Sequence, residues 1–179
     1  MSWTAPMTAI AGSVFTAAQF NTFVRDNLNE CPAAKASTPG SMFVTSATNQ
    51  VAERTPVTAA VAAQESTTSL SFVNLTTPGP AVTLVTGSTA LIIITSQVND
   101  QSASFGASVG VDISGATSES ADISECLRHE TNGTTEFNRS SAVRLHTSLT
   151  PGTNTFKLMY LVDGGTGQFR YRTITVVPF

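Results

Sequence analysis

Residues 89–100 read Thr-Ala-Leu-Ile-Ile-Ile-Thr-Ser-Gln-Val-Asn-Asp, a stretch that contains the strongest apolar run of the chain. That run is far too short to span a bilayer, and its isoleucines suit the pleated, half-buried surface of a strand. Residues 91–94 do not alternate with polar residues, which predicts a central strand covered on both faces. Asn99-Asp100 then marks a turn.

Seven further candidate strands surround this one, and turn signals separate them. They cover residues 68–75, 81–86, 103–113, 120–129, 134–145, 154–163 and 169–177. The turns contain glycine after a polar residue or proline, as in Ser114-Gly115, Asn132-Gly133 and Pro151-Gly152. Short strands at this spacing predict an all-β domain, a sandwich or jelly roll, over residues 58–179.

The strand predicted at 154–163 has no fully polar face. Its two alternating sets are Phe156, Leu158, Tyr160 and Val162 on one side and Lys157, Met159 and Leu161 on the other. Since alternate side chains of a strand point to opposite faces, we expect the outer face to meet another subunit.

An N-terminal arm over residues 1–40 precedes the β domain. Trp3 is the only tryptophan of the chain and lies close to its start. Terminal residues are usually disordered unless they are docked. We therefore interpret Trp3 as an anchor, against either its own domain or a partner.

The arm contains one short α-helix, predicted at about residues 17–30. Thr16 and Gln19 have the spacing of a capping box, and Phe15 and Phe20 that of a hydrophobic staple. The helix should stop before Pro32. Its residues Phe20, Phe23, Val24 and Leu28 recur at helical spacing. These four residues would form one face of the helix. Because so short a helix is marginal in water, this face must dock on the β domain or pack against the same face of other copies. Residues 41–57 follow as a short hairpin and linker.

Composition limits the classes of partner. Charged residues are 12% of the chain, about half the usual share, which suits a surface partly covered by partners. The net charge of −3 argues against nucleic-acid binding. No Lys or Arg occurs between residues 55 and 127, whereas the chain from Arg128 onward is basic. Either the two halves interleave in one fold, or an acidic face meets the basic face of a neighbouring subunit.

Cellular location is predicted from the start of the chain and from its cysteines. The start lacks an apolar segment of signal-peptide length, so we expect folding in the cytoplasm without membrane insertion. Cys31 and Cys126 lie far apart without metal-type spacing. They are predicted to be free thiols.

Catalytic patterns are weak, and we predict no enzyme activity, cofactor or metal. Cys126 and His129 would point to opposite faces of a strand, although a Cys nucleophile needs a base within hydrogen-bond reach. A glycan-cleaving enzyme needs two carboxylates at a defined separation, and no pattern selects a pair. The candidates are Asp112, Glu119, Asp122, Glu125, Glu130 and Glu136.

Three stretches resemble structural proteins of tailed bacteriophages, especially those of actinobacteria. The first is Trp3, Pro6, Gly12, Thr16-Ala17-Ala18, Asn21-Thr22 and Val24-Arg25-Asp26-Asn27-Leu28. The others are the hairpin segment 39–49 and the C-terminal pattern of residues 149–156, Tyr160, 164–167, Phe169, Arg172 and 174–178. Members of this group often continue into long repeat shafts, which this chain lacks, so a compact knob is favoured over a long fibre.

The resemblance implies a structural virion protein that is assembled in the host cytoplasm. Its arm would attach to the major capsid protein or to another virion protein, and three copies would assemble. The anchoring and assembly residues would be Trp3, Phe15, Thr16, Gln19, Phe20, Phe23, Val24 and Leu28. The first hypothesis is a capsid decoration or head-fibre protein. The second is a tail fibre or tail-tip protein that binds the host surface through loops such as 99–104 or 131–138.

Overall fold

The computed structural model describes residues 3–102, 104–130 and 136–179. The chain forms two compact units, one comprising the residues up to Thr55 together with Phe179, the other Pro56–Pro178. Within the described ranges, no helix is long and apolar enough to cross a membrane. The predicted Asn132-Gly133 turn lies outside them.

The N-terminal unit begins with a helical stretch whose hydrogen bonding changes along its length. Helix α1 (Ala17–Phe20) passes into a π-helical segment (Asn21–Arg25) and then into α2 (Asp26–Asn29). A separate turn, α3 (Pro32–Lys35), begins at Pro32, because proline has a fixed backbone angle suited to a first helical position. The helix therefore ends before Pro32, and the residues just after it are helical again.

A hairpin completes this unit. Strands β1 (Met42–Ala47) and β2 (Gln50–Arg54) pair antiparallel. Asn49 has a positive φ of 58° at the turn between them, a conformation that asparagine tolerates. Lys35 Nζ donates to the Val51 carbonyl at 3.0 Å, which ties α3 to β2. The predicted arm and hairpin thus lie within one unit.

The second unit consists of strands joined by turns. The strands are β3 (Val57–Val61), β4 (Glu65–Thr67), β5 (Ala81–Thr86), β6 (Ala90–Asp100), β7 (Gly106–Gly115), β8 (Leu127–Glu130), β9 (Asn138–His146), β10 (Gly152–Val162) and β11 (Gly167–Pro178). A 3₁₀ turn, Ile123–Glu125, precedes β8.

These strands form a five-stranded and a four-stranded sheet. The five-stranded sheet has the order β3-β11-β6-β9, with β4 also beside β11, and the four-stranded sheet has the order β5-β10-β7-β8. If β4 is left out and the other eight strands are numbered along the chain, the first sheet has the order 1-8-3-6. The second sheet then has the order 2-7-4-5. Two Greek keys wound together produce this order in a jelly roll, and the predicted all-β class is confirmed.

The core lies between the two sheets. Val98, Val109, Phe156 and Ile174 are fully buried there. The rings of Tyr160 and Phe169 pack with centroids 4.9 Å apart. Their burial supplies the main stabilisation of the sandwich, since apolar area removed from water contributes about 25 cal/mol per Å².

The first strand of the sandwich differs from the prediction. The structure has β3 at Val57–Val61, whereas the sequence suggested residues 68–75. There only Val73 forms a bridge, to Tyr160. The Ser69 hydroxyl instead donates to the Ser71 carbonyl at 2.7 Å, and such local hydrogen bonds compete with a strand ladder.

The strand predicted at 120–129 is also shorter. The Asp122 side chain accepts a hydrogen bond from the Ser124 backbone N–H at 2.7 Å and so caps the 3₁₀ turn. Extended pairing starts only at Leu127.

Strand β6 is central, as predicted, but the described residues of the chain fully bury only one of its faces. It pairs with β11 on one side and β9 on the other. Ile92 and Ile94 point into the core and are buried, whereas Leu91 and Ile93 point outward and are half-buried. The expectation that both faces are covered is therefore wrong for the isolated chain.

Strand β10 shows the opposite result. Gly110 of β7 lies opposite Met159 of β10. A Cβ atom at Gly110 would lie 2.7 Å from the Phe72 ring. Phe72 thus packs over this part of the outer face. The chain itself, and not another subunit, supplies this cover over the four-stranded sheet.

Candidate attachment and assembly surfaces

Hydrogen bonds hold the first described residues of the N-terminal unit in place. The Asn27 side chain is buried and bonds Thr4 twice, accepting from its N–H at 2.8 Å and donating to its carbonyl at 2.9 Å. The Trp3 backbone N–H donates to the Asn49 carbonyl at 3.0 Å. The Trp3 side chain remains 42% exposed, so the main chain is fixed while the indole stays accessible.

The start of the helix contains both local motifs expected from the sequence. The Gln19 N–H donates to the Thr16 hydroxyl at 3.2 Å, and the Thr16 N–H donates to Gln19 Oε1 at 2.9 Å. The rings of Phe15 and Phe20 meet edge to face with centroids 6.2 Å apart. The two hydrogen bonds satisfy backbone donors that would otherwise be unpaired at the first turn, and the ring contact fixes the direction in which the chain enters the helix.

The four apolar residues of the helix do not share one environment. Phe23 and Val24 are half-buried, whereas Phe20 is 48% and Leu28 61% exposed. The π-helical segment between them inserts an extra residue per turn, which rotates the later positions relative to a regular α-helix. Phe20 and Leu28 therefore remain more exposed than Phe23 and Val24.

The residues that the helix does bury are polar, and the apolar periodicity did not identify them. They are Asn27 and Glu30. Lys35 Nζ lies 2.8 Å from the Glu30 carboxylate, and this hydrogen bond lowers the pKa of Glu30 against the opposing effect of burial. The signal in the sequence was the acid five positions before a lysine, across the helix break at Pro32.

Two grooves open on the N-terminal unit. One, of about 410 Å³, is lined by Trp3, Glu30 and hairpin residues between Thr45 and Val51. The other, of about 360 Å³, is lined mainly by Met7, Ala9, Ile10 and Phe15. Both contain accessible apolar side chains, a common property of protein interaction sites.

The outer face of the five-stranded sheet has an apolar end. We use this name for Leu91, Ile93, Val143, Leu145 and Val177. Leu91 pairs with Leu145, and Ile93 with Val143, so their side chains are neighbours on one face. Val143 is 64% and Leu145 57% exposed, which leaves contiguous aliphatic surface in water.

Hydroxyl groups separate this apolar end from a cationic end, the cross-strand row of Arg170, Gln97 and Arg139. The side chains of Thr95 and Ser141 are hydrogen-bonded across the strands at 2.8 Å, and Thr173 lies beside Thr95 in the same cross-strand row. The outer face therefore changes from aliphatic to cationic along the strands.

Several of the carboxylates considered for catalysis make structural contacts instead. Glu119 pairs with Arg144 at 2.9 Å and with the buried His146 at 2.8 Å, and Arg144 also pairs with Glu125. Partial burial acts to raise the pKa of Glu119, but hydrogen bonds from His146 and Arg144 lower it overall. This network links β9 to the segment that precedes β8.

The thiol of Cys126 is not activated as a nucleophile. It donates to the Ile123 carbonyl at 3.1 Å, and burial raises its pKa, whereas a reactive thiol has a lowered pKa. Both cysteines are unpaired. Over the described ranges, no three His, Cys, Asp or Glu side chains group closely enough to hold a metal ion.

Comparisons with known proteins give matches to structures alone. No protein-family model and no curated protein matches the chain. The VP2 subviral particle of infectious bursal disease virus is 10% identical with a TM-score of 0.47, over 75% of this chain and 37% of that one. Structures of the Gt and Gx strains of this virus are 11% and 12% identical, with TM-scores of 0.45 and 0.40, over 75% of this chain and 35% of theirs. The chain therefore spans little more than a third of the length of these structures.

Proposed function

We propose that the chain is a structural protein of a tailed-phage virion, a trimeric capsid decoration or head-fibre protein attached by its N-terminal unit. The observation that carries this proposal is the exposure of Phe20 and Leu28 on a capped and stapled helix. Large apolar side chains held in a defined conformation outside the core are typical of docking elements. The resemblance of the N-terminal motif to phage structural proteins supports the same assignment.

In this proposal the jelly-roll unit is the displayed part, and copies meet through the apolar end of the outer face. Val143 and Leu145 are more than half exposed in the isolated chain. Contact with other copies would remove these aliphatic groups from water. Threefold assembly is the arrangement that the phage resemblance implies.

We propose further that the protein has no catalytic role. Glu119, Glu125 and Glu130 are engaged with arginine side chains, and Asp122 caps the 3₁₀ turn. Carboxylates used in this way stabilise the fold and are not free to act on a glycosidic bond.

Attachment is tested by Phe20→Asp in virions of the phage that encodes the chain. The charge would oppose burial of this position in a partner, so we expect at least a tenfold loss of copies per particle. Quantitative mass spectrometry of purified particles measures the number of copies per particle. Thr22→Asp is the matched control, because Thr22 is an exposed polar residue of the same helix. Unchanged incorporation of Phe20→Asp would contradict attachment through this face.

Copy number also separates the two virion locations. Hundreds of copies per particle indicate the capsid, and a handful indicates the tail. The alternative, a tail fibre or tail-tip protein that binds the host surface, is favoured by the cationic end of the outer face, which suits recognition of an acidic ligand.

A further inference from the structure

We propose that the cationic end of the outer face binds a carboxylate-bearing sugar. A pocket of about 160 Å³ lies there, lined by Ala60, Val61, Ala62, Arg139, Tyr171 and Thr173. This volume is below the roughly 300 Å³ of pockets that hold drug-sized ligands. It suits one ring and not an extended chain.

The two arginines beside this pocket, Arg170 and Arg139, differ in their contacts. Arg170 Nε donates to Gln97 Oε1 at 2.7 Å, and its guanidinium lies 3.7 Å from the centroid of the Phe137 ring. Arg170 is thereby held in one orientation. Arg139 is exposed and lines the pocket, and no carboxylate in the described part of the chain forms an ion pair with it. Its guanidinium is free to bind a ligand.

Tyr171 owes its position to an irregularity in β11. The pairing with β6 shifts register between Arg170 and Thr173, which is a β-bulge that redirects side chains. Tyr171 has a φ of 49°, a left-handed conformation that is strained for a bulky residue. The strained residue is half exposed at the pocket, while the next one, Arg172, is completely buried. Strain of this kind is concentrated at binding and catalytic sites.

The chemistry of the lining selects the ligand. A guanidinium forms two parallel hydrogen bonds with a carboxylate, and the face of a tyrosine ring offers apolar contact to the C–H side of a sugar. The Thr173 hydroxyl can donate to or accept from a sugar hydroxyl, and Ala60 and Ala62 leave room for the ring. One guanidinium in the lining, a second beside Tyr171 and no carboxylate among the lining residues favour an acidic sugar over a neutral one.

The site can be occupied while the apolar end contacts another copy. Arg139 pairs with Gln97, four residues along β6 from Ile93, a distance of about 13 Å at 3.3 Å per residue. Thr173, at the other side of the pocket, pairs with Thr95, two residues or about 7 Å from Ile93. Sugar binding is measured on the isolated chain. A failure to bind the sugar would therefore not contradict the proposed attachment to the virion.

The test titrates the full chain with glucuronic acid and follows ligand signals by saturation-transfer NMR. We expect saturable binding of glucuronic acid, with at least tenfold weaker binding of glucose and of inorganic phosphate. Arg139→Gln and Tyr171→Gly should each weaken it at least tenfold. Tyr171→Gly should remain folded, because glycine adopts positive φ without strain. Lys157→Gln, in the other sheet, removes one positive charge as well and should bind normally.

Four results would each overturn the proposal. They are the absence of saturable binding, equal binding of glucose, equal binding of phosphate, and full binding by a folded Arg139→Gln variant. Equal binding of phosphate would reveal a site for any small anion and not for a sugar.

Discussion

At the level of single residues, the Glu119 carboxylate supplies a hydrogen-bond partner for the buried side chain of His146. His146 Nδ1 accepts from the Ser148 N–H at 3.3 Å, so a neutral imidazole carries its proton on Nε2 and donates it to Glu119. The same carboxylate accepts from Arg144. Replacing it would leave a buried ring nitrogen without this partner.

We therefore expect Glu119→Ala to lower the free energy of unfolding by about 2 kcal/mol at neutral pH. The pKa of Glu119 is lowered in the folded state, so its contribution is present above the unfolded-state pKa and is lost as pH falls through the folded-state pKa. The difference between wild type and variant should thus shrink on acidification below about pH 4.

Urea unfolding at neutral and acidic pH measures this difference. Glu136→Ala is the control, because Glu136 is exposed and makes no ion pair with any described residue. It should change stability by less than about 0.5 kcal/mol. A cost of Glu119→Ala that stays constant with pH would contradict an ionised Glu119 as the stabilising group.

At the level of elements, the bulge in β11 interrupts the alternation of its side chains, since Arg170 and Tyr171 are both partly exposed before Arg172 turns inward. Tyr171 points outward, and Arg172 enters the core, where it is fully buried. Arg172 Nη2 lies 3.4 Å from Glu65 of β4, and its guanidinium is 5.3 Å from the Tyr160 ring centroid. The ion pair joins the short β4 to the long β11 and closes this edge of the sheet.

Removing one member of this pair should cost more than removing both. Arg172→Met leaves the Glu65 carboxylate mostly buried without its cation, a loss of about 3 kcal/mol. The double variant Arg172→Met with Glu65→Met should recover most of that loss, since a well-packed apolar pair replaces a buried ion pair with little or no penalty.

Chemical denaturation of the wild type, both single variants and the double variant gives the coupling energy. Additive losses would show that Arg172 stabilises β11 through packing alone. Nε and Nη1 of Arg172 are buried without a hydrogen-bond partner among the described residues, which is why an apolar replacement is expected to be tolerated.

At the scale of the whole molecule, the two sheets have unlike outer faces. Phe72 covers part of the four-stranded sheet, whereas the five-stranded sheet leaves Val143 and Leu145 exposed. Contiguous aliphatic surface of this kind is typical of an interface between subunits. Together, the exposed apolar end and the proposed threefold assembly predict a trimer that forms through Val143 and its neighbours.

Multi-angle light scattering should give a mass three times the 18.7 kDa of the chain. Val143→Asp should reduce it to that of a monomer, because a charge at the centre of the contact would be desolvated. Val85→Asp is the matched control, since Val85 is 52% exposed on the other sheet. A monomeric wild type at micromolar concentration, or dissociation by Val85→Asp alone, would contradict the assigned face.

Features that depend on neighbouring residues could be predicted from the amino-acid sequence alone. The capping box of Thr16 and Gln19, the Phe15–Phe20 contact and the turn at Ser114-Gly115 follow from local backbone chemistry, which a short segment contains completely. The all-β class followed because turn residues separate β-branched stretches throughout the second unit.

Features that depend on pairing between distant segments became visible with the three-dimensional fold. Val57–Val61 became a strand because β11, more than a hundred residues later, provides its ladder. The burial of Arg172, the strain at Tyr171 and the exposure of Val143 depend on register and on which side chains lie opposite. These are properties of the assembled sheet, and the local sequence around each residue does not contain them.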